Sequence, residues 1–367
     1  MDLIIVESPS KIKKIKQYAE NITKHKMAVF ASLGHIGNFS KEITFDNLKK
    51  FDMPYIIDKA KMKNLKNILE AAKKSSMIYI ATDPDREGEA IGYRLKEYLK
   101  KNKIPVSKIK RINLNEITEN GVKQAFKNIG DIDMNMVNAQ IARSASDQII
   151  GFIATRMLWV ALDKIIQQMN QNRKYTKSKT KSSFVTLSAG RVQIPALKFI
   201  YDREHTIANF KPEDYVEIEL VLNKNNIDFN ATRRFKIGDT KTPEQIYQKY
   251  TKLKKITALN ANKSQKKLAP PPPYQTQSAQ SDIVRIFKVP VKTAQSVLQS
   301  LYEKGFITYH RTDSTRVSDE GISIAKEMIN KIDKNLFEPH KGRAGEQDAH
   351  EAIRVTHAFE NTSELND

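Results

Sequence analysis

An apolar run that ends in a cluster of acids, Met77-Ile78-Tyr79-Ile80-Ala81-Thr82-Asp83-Pro84-Asp85-Arg86-Glu87-Gly88-Glu89, carries the clearest signal in this chain. Its first five residues are continuously apolar, which is typical of a strand buried on both faces of a parallel sheet. The amphipathic segment from Ala90 to about Lys100 predicts a helix. Ligands of α/β folds bind at the carboxyl ends of such strands, so the acids occupy a position typical of a functional site.

The acids Asp83, Asp85 and Glu87 alternate at a spacing of two. In an extended segment this spacing projects all three carboxylates to one side. Like charges held together raise their own pKa values and repel one another, and a hard divalent cation such as Mg²⁺ relieves this repulsion. The alternative is an acidic loop that caps the next helix. The clustering of acids in a basic chain favours a magnesium site.

A second buried strand is predicted at Leu3–Val6, ended by Glu7 and followed by a helix from about Lys11. Glu7, at the end of a neighbouring parallel strand, would complete the acid cluster, although capping of the helix explains it equally well. A strand over residues 108–113 and a helix from Thr118 to about residue 128 continue the alternation. We therefore predict an α/β domain with a mostly parallel sheet over residues 1–135.

The remaining chain changes character several times. Residues 135–168 have a helical apolar stripe, residues 214–235 alternate as an antiparallel hairpin, and four prolines at 270–273 indicate a domain boundary. The polar, basic segment 170–183 is equally consistent with a loop against phosphate and with a solvated linker. Helices are predicted over residues 276–288, 290–304 and 320–333. The predicted domains are 1–135, 136–212, 213–270 and 271–367.

A tyrosine lies in a polar stretch directly after a helix, Gly305-Phe306-Ile307-Thr308-Tyr309-His310-Arg311-Thr312-Asp313-Ser314. A phenol is a poor nucleophile at its ordinary pKa near 10 and needs a cation beside it. Arg311 shares a face with Tyr309 if the segment is the predicted strand, and its planar donors suit a phosphate. Taken alone, this stretch is better explained by an ordinary strand aromatic.

The helices predicted over 276–288 and 290–304, followed by this strand, resemble a winged helix, a fold that often binds nucleic acid.

The amino-acid composition indicates which classes of binding partner to expect. The 367 residues carry 62 Lys and Arg against 42 acids, a formal charge of +20, which favours nucleic acid over a merely basic soluble surface. The absence of cysteine excludes disulfides, thiolate zinc sites and a cysteine nucleophile. No apolar run reaches transmembrane length and the start is not a signal peptide. We expect no membrane partner and an intracellular location, in the cytoplasm or nucleoid.

Other candidate residues have equally plausible structural roles. His35 lies between glycines, where a structural turn is as good an explanation as substrate contact. Arg143 and Asp147 are one helical turn apart and form a natural ion pair. Gly190 allows close approach of the backbone to a ligand, beside Arg191 and Gln193, which can hold phosphate or base. His350 and Arg354 are predicted one turn apart on a helix.

Six motifs together resemble the type IA DNA topoisomerases, in the order found there. They are Val6-Glu7-Ser8-Pro9-Ser10-Lys11, Gly34-His35-Ile36, Asp83-Pro84-Asp85-Arg86-Glu87-Gly88-Glu89, Ser188-Ala189-Gly190-Arg191-Val192-Gln193, the tyrosine stretch, and His350-Glu351-Ala352-Ile353-Arg354. The resemblance implies a Toprim domain, mixed α+β pieces of an arch that forms a toroid around DNA, and a helical, winged-helix-like domain that carries the nucleophile. It also implies transient cleavage of single-stranded DNA, strand passage and religation without ATP.

The resemblance assigns roles to individual residues. Tyr309 is expected to form the 5′-phosphotyrosyl bond, with Arg311 and Lys11 stabilising the phosphoryl charge. Glu7 corresponds to the acid near the leaving 3′ oxygen, and His350 to a histidine that assists DNA binding or tyrosine activation. Mg²⁺ is expected at Asp83, Asp85, Glu87 and Glu7. The expected DNA-binding residues are His35, Arg143, Ser188, Arg191, Gln193 and Arg354.

The sequence departs from that family in three respects. It ends shortly after the His350 motif, so the domains begun near residues 151 and 213 are expected to be half-built, as in a fragment, a split-gene subunit that needs a second chain, or a truncated model. Zinc ribbons are absent. His310 stands where many relatives have an apolar residue.

Two other functions compete with an active topoisomerase. One is a non-catalytic single-stranded-DNA-binding fragment, and the other is a Toprim nuclease or primase-like enzyme in which Tyr309 is structural. We expect slow cleavage of an oligonucleotide and poor plasmid relaxation from this chain.

Overall fold

The computed structural model describes residues 1–40, 54–171, 187–237, 243–257, 259–260, 262–266, 268, 270–333, 335–338 and 350–359. Contacts divide the chain into two compact units. The first unit comprises Met1–Ser188 and Pro270–Asp367, and the second comprises Ala189–Ala269. The predicted basic loop at 170–183 lies almost entirely outside the described residues. The division into four domains stays a prediction.

The first unit contains a four-stranded sheet in the order β2-β1-β5-β6, with every neighbouring pair parallel. This confirms the predicted parallel sheet. A separate antiparallel pair joins β3 to β4. The strands are β1 (Asp2–Val6), β2 (Met27–Ala31), β3 (Gly37–Phe39), β4 (Tyr55–Ile57), β5 (Ile78–Ala81) and β6 (Ile109–Arg111). Val6 pairs with Ala81, so β1 and β5 end side by side.

The described α-helices of the first unit cover both faces of the sheet and build the tyrosine region. They are α1 (Ile12–Thr23), α2 (Met62–Lys74), α3 (Arg86–Lys101), α4 (Glu119–Lys127), α5 (Met134–Gln171), α8 (Thr276–Phe287), α9 (Val291–Glu303) and α10 (Asp319–Ile332). The helices predicted over 135–168, 276–288, 290–304 and 320–333 are confirmed. None of the described helices is long and apolar enough to span a membrane.

Alternating residues of β1 feed two separate cores. Leu3 and Ile5 pack with residues of α2 and α3 on one face of the sheet. Ile4 and Val6 pack on the other face with residues of α1, and the same core includes Tyr309. Burial on both faces explains why β1 is continuously apolar. The tyrosine region is therefore part of the core of the sheet.

The second unit is described by α6 (Gln193–Ala208), β7 (Tyr215–Lys224), β8 (Ile227–Lys236) and α7 (Pro243–Thr251). β7 and β8 form the predicted antiparallel hairpin. Many of its large apolar side chains are exposed, including Phe199 at 77% and Leu197 at 67%. This amount of exposed apolar surface exceeds what an isolated folded unit usually shows, and such surface promotes association.

Three predictions about local structure were wrong. The acidic segment is not extended through Glu87, because α3 begins at Arg86 instead of near Ala90. The predicted strand at 306–309 is reduced to a single bridge between Ile307 and Val355. Residues 350–354 are not helical, because Ile353 instead forms a bridge with Tyr274.

Candidate active site

The acidic segment forms a helix start. The side chain of Asp85 caps α3 by accepting a hydrogen bond of 2.8 Å from the Gly88 amide. A Cβ on Gly88 would lie 2.0 Å from the Asp83 carbonyl oxygen, so only glycine fits this turn. Glu87 lies in the first helical turn, where the helix dipole favours a negative charge. The three acids therefore point to different partners and do not project to one side.

Lys11 neutralises the first of these acids. It is only 1% exposed, at the end of a 3₁₀ turn (Pro9–Lys11), and its ammonium pairs with Asp83. The same nitrogen lies 4.8 Å from the centre of the Tyr302 ring. A buried ammonium is costly unless it is paired, so Asp83 and the ring together fix Lys11 beside the tyrosine region.

Tyr309 lies against the acid cluster and is only 2% exposed. Its hydroxyl donates a hydrogen bond of 2.6 Å to Oδ2 of Asp85, and Nη1 of Arg311 lies 3.4 Å from the same oxygen. Burial, and then the charges of Asp85 and Asp83, raise the pKa of Tyr309 well above its ordinary value, although Arg311 opposes them. In this conformation the phenol is protonated and Asp85 accepts its hydrogen.

Three aromatic rings surround the Tyr309 ring. The ring centres of Tyr302, His310 and His350 lie 5.1, 5.4 and 5.5 Å from that of Tyr309. Tyr302 is fixed in turn by a hydrogen bond of 2.6 Å from its hydroxyl to the Leu114 carbonyl. This packing sets the direction in which the Tyr309 hydroxyl points.

Both histidines are buried, and the ring nitrogens of His310 form no hydrogen bond within the described residues. Burial, followed by the charges of Arg311 and Lys11, lowers the pKa of His310 to about 4, against weaker opposing effects of Asp85 and Glu303. Burial also lowers the pKa of His350, although the nearby Pro84 carbonyl favours the protonated ring. Both rings are therefore neutral near pH 7.

The burial of His310 predicts a loss of stability in acid. Between pH 6.5 and about 4 the unfolded chain binds a proton at this residue that the folded chain does not, so the free energy of unfolding falls as pH falls through this window. The expected loss is about 2–3 kcal/mol. In His310→Met this part of the loss should disappear in urea unfolding measured from pH 7 to pH 4.

Replacement of the exposed His25 by Gln provides the control, because that ring is in solvent in both states. If His310→Met kept the full loss of stability in acid, the inferred burial of a neutral ring would be wrong.

Glu7 completes the acidic end of β1 and β5. The Asp83 amide lies 3.5 Å from its Oε2. Burial, and then the charge of Asp83, raise the pKa of Glu7 to about 7, with Lys11 opposing and Asp85 adding to the effect. Glu7 can thus carry a proton at neutral pH.

His35 and Glu87 form a separate pair in the same region, 2.9 Å apart. This hydrogen bond is the main reason why the pKa of Glu87 is lowered. Arg143 lies near enough to contribute to the same shift, and it pairs with Asp147 at 4.0 Å as its spacing predicted.

The chemistry of the acids suits Mg²⁺, which prefers carboxylate oxygens. The raised pKa of Glu7 also reflects unrelieved repulsion from Asp83 and Asp85. However, the described residues contain no group of three or more acids or histidines arranged to hold a metal. Lys11 and Tyr309 occupy oxygens of Asp83 and Asp85. The donors therefore fit Mg²⁺ in type, and binding would require these partners to move.

Arg111 supports the site and was not identified from the sequence. Its side chain is 2% exposed and pairs with Glu89 at 2.7 Å. It also donates to the carbonyls of Thr82 and Asp83, both at 2.9 Å. Arg111 therefore fixes the backbone of the segment that carries Asp83 and Asp85. Arg111 could have been identified from the sequence because it lies in a predicted buried strand, and a buried arginine requires a buried acid as its partner.

The remaining DNA-binding candidates are divided between the two units. Arg354 is nearly buried and pairs with Glu351 at 2.8 Å and Glu116 at 3.3 Å, which indicates a structural role in this conformation. Ser188 ends the first stretch of the first unit. Arg191 and Gln193 are exposed residues of the second unit, and their role in binding stays a prediction.

Comparison with known proteins gives two matching family models. The model described as Toprim domain matches residues 2–117, and the model described as DNA topoisomerase matches residues 131–367. DNA topoisomerase 1 of Aquifex aeolicus (strain VF5) is 35% identical over 364 residues, covering 97% of this chain and 62% of that protein. DNA topoisomerase 1 of Rickettsia prowazekii (strain Madrid E) is 37% identical, covering 97% of this chain and 46% of that protein.

A solved structure of full-length topoisomerase I from Thermotoga maritima is similar over 99% of this chain, with a TM-score of 0.73 and 31% identity. The match covers 57% of that chain. This chain therefore spans about half to three-fifths of the length of these relatives.

Proposed function

Because this chain belongs to the type IA DNA topoisomerase family, we propose that it cleaves and reseals single-stranded DNA through a covalent bond to Tyr309. The observation that carries the proposal is the contact of the Tyr309 hydroxyl and Arg311 with one carboxylate oxygen of Asp85. A nucleophile, a proton acceptor and a cation suited to phosphate thus meet at one point. Such an enzyme would act wherever the DNA of the cell is.

The reaction is an exchange of one phosphate ester for another. The Tyr309 oxygen attacks the phosphorus, the bond from phosphorus to the 3′ oxygen breaks, and the phenolic proton passes to Asp85. The leaving 3′ oxygen takes the proton of Glu7, whose pKa of about 7 suits this step. Resealing reverses each transfer, so no ATP is required. Arg311 and Lys11 balance the charge of the phosphoryl group.

Glu7, Asp83 and Asp85, with Glu87 beside them, are the residues that would hold Mg²⁺. When bound, the ion would neutralise their repulsion and position a DNA phosphate. Tyr309 is only 2% exposed, so the side chains around its hydroxyl must move before a DNA phosphate can reach it.

The test is capture of DNA labelled at one end. A single-stranded oligonucleotide is labelled at its 3′ end in one sample and at its 5′ end in another, incubated with the chain and quenched in detergent. A 5′-phosphotyrosyl bond leaves the 3′-labelled piece on the protein and releases the 5′-labelled piece. Capture of the 5′-labelled piece would mean that the protein is linked to a 3′ phosphate instead of a 5′ phosphate. Binding without capture of either label would favour the DNA-binding fragment.

Replacing Glu7 by Gln should make the protein more stable and less active. The raised pKa means that the folded carboxyl keeps its proton between pH 4.5 and about 7 while the unfolded one loses it, so stability falls as pH rises through this window. Above pH 7, Glu7→Gln should therefore raise the free energy of unfolding by about 1–3 kcal/mol. Capture of DNA should fall by about 10²-fold, because a proton donor is lost.

The matched control is Glu327→Gln, an exposed carboxylate on α10. It should change neither the stability nor the capture of DNA. A loss of stability above pH 7 in Glu7→Gln would show that Glu7 stabilises the fold as a charged group.

A further inference from the structure

A cavity with two arginines in its wall lies beside Arg311, two residues along the chain from Tyr309. A cavity of about 350 Å³ is lined by Arg86, Arg311, Asp313 and neutral polar residues of two segments. Those neutral residues are Gln275, Thr276, Gln277 and Thr312. The wall thus combines two guanidinium groups with one carboxylate, and the charge of that carboxylate, Asp313, also acts on His350.

Asp85 is close to both arginines in different ways. Asp85 caps α3, of which Arg86 is the first residue, and Arg311 lies 3.4 Å from Oδ2 of Asp85. Tyr309 donates to that oxygen at 2.6 Å. The cavity is therefore connected to the Tyr309 hydroxyl through Arg311, which lines the cavity and contacts the same oxygen of Asp85.

The side chain of Arg86 has no structural role that the contacts of the described residues reveal. Arg86 is exposed, and within the described residues its side chain forms no ion pair or hydrogen bond. The N-terminus of α8 also reaches the cavity, but its Thr276 amide is bonded to the Thr312 carbonyl and its Ser278 amide to the side chain of Gln275. The positive charge of the cavity thus comes from the two guanidiniums, whose planar donors match phosphate oxygens.

We propose that Arg86 binds a backbone phosphate of the DNA strand, next along the strand from the phosphate that Tyr309 attacks. This rests on the proposed function, because it places the scissile phosphate at Tyr309 and Arg311. Arg86 then fixes the register of the strand, since a phosphate contact positions DNA without selecting its sequence. The substrate class is any single strand with a charged phosphate at that position.

The experiment measures binding of a fluorescent 12-nucleotide oligodeoxythymidine to the full chain by anisotropy over a range of salt concentrations. Arg86→Gln should weaken binding about threefold to tenfold and reduce the slope of log affinity against log salt by about 0.7, the value for one phosphate contact on a single strand. Arg86→Lys should keep the slope, because it keeps the charge. Lys101→Gln removes one charge from the far end of the same helix and should behave as wild type.

An oligonucleotide with a neutral methylphosphonate beside the cleavage position tests the assignment directly. It should weaken binding to the wild-type chain and have no further effect on Arg86→Gln. Equal losses in both proteins, or a slope for Arg86→Gln equal to that of Lys101→Gln, would overturn the inference. Circular dichroism of each variant ensures that a weak binder is folded.

The two proposals fail separately. If DNA is captured at Tyr309 but Arg86→Gln keeps the wild-type slope, the phosphate site is wrong and the proposed function stands. If no DNA is captured but the effects of Arg86→Gln and of the methylphosphonate appear, DNA binds at this cavity and the proposed cleavage is wrong.

Discussion

Tyr309→Phe should lower covalent capture of single-stranded DNA at least about 10³-fold, to background, and leave non-covalent binding unchanged. The substitution removes only the hydroxyl that donates to Asp85. Asp85 keeps its bonds from the Gly88 amide and Arg311, so the fold should lose only about 1 kcal/mol. Gel electrophoresis in detergent and anisotropy measure the two effects.

Tyr302→Phe is the matched control for this prediction. Its ring lies 5.1 Å from that of Tyr309, it is equally buried, and its hydroxyl donates to the Leu114 carbonyl. It should cost similar stability and keep capture of DNA. If Tyr309→Phe still cleaved DNA, a Toprim nuclease in which Tyr309 is structural would become the better explanation.

Arg111→Met should lower the free energy of unfolding by about 3–5 kcal/mol. The substitution leaves Glu89 buried without its ion pair. It also removes one donor from each of the carbonyls of Ile80, Thr82, Asp83 and Ile112. An unpaired buried charge costs more than the pair contributes, so the double variant Arg111→Met/Glu89→Gln should recover part of the loss. Urea unfolding of both variants measures the difference.

Lys110→Met provides the control on the same strand. Lys110 is partly exposed and pairs only loosely with Asp131, at 3.7 Å, so its loss should change stability by less than about 0.5 kcal/mol. A destabilisation of Arg111→Met as small as that of Lys110→Met would show that Arg111 does not support the acidic segment.

β1 and β5 were predictable because each is a short apolar run that ends in polar residues, whereas β2 was not among the predicted strands. The residue at which α3 begins could not be predicted, because Asp85 suits both an extended row of acids and a helix cap. Only the packing of Gly88 against the Asp83 carbonyl selects the cap. The interpretation rejected for the acids as a group, helix capping, therefore holds for Asp85.

The features of the candidate site that the sequence did not predict depend on contacts between residues far apart in the sequence. Arg111 pairs with Glu89, 22 residues away, and Asp85 accepts from Tyr309, 224 residues away. A local pattern also cannot show that Ile353 pairs with Tyr274, which is why a helix was wrongly predicted there. The burial of His310 depends in the same way on the packing around Tyr309, which local sequence does not reveal.

The central claim is that Tyr309 becomes linked to DNA, and mass-spectrometric mapping of the captured complex tests it most directly. The chain is incubated with a single-stranded oligonucleotide, trapped in detergent, and digested with a protease and a nuclease. We predict one modified peptide, containing Tyr309 with a nucleotide attached through its 5′ phosphate. A nucleotide on another residue, or a cleaved oligonucleotide with no modified peptide, would contradict the account.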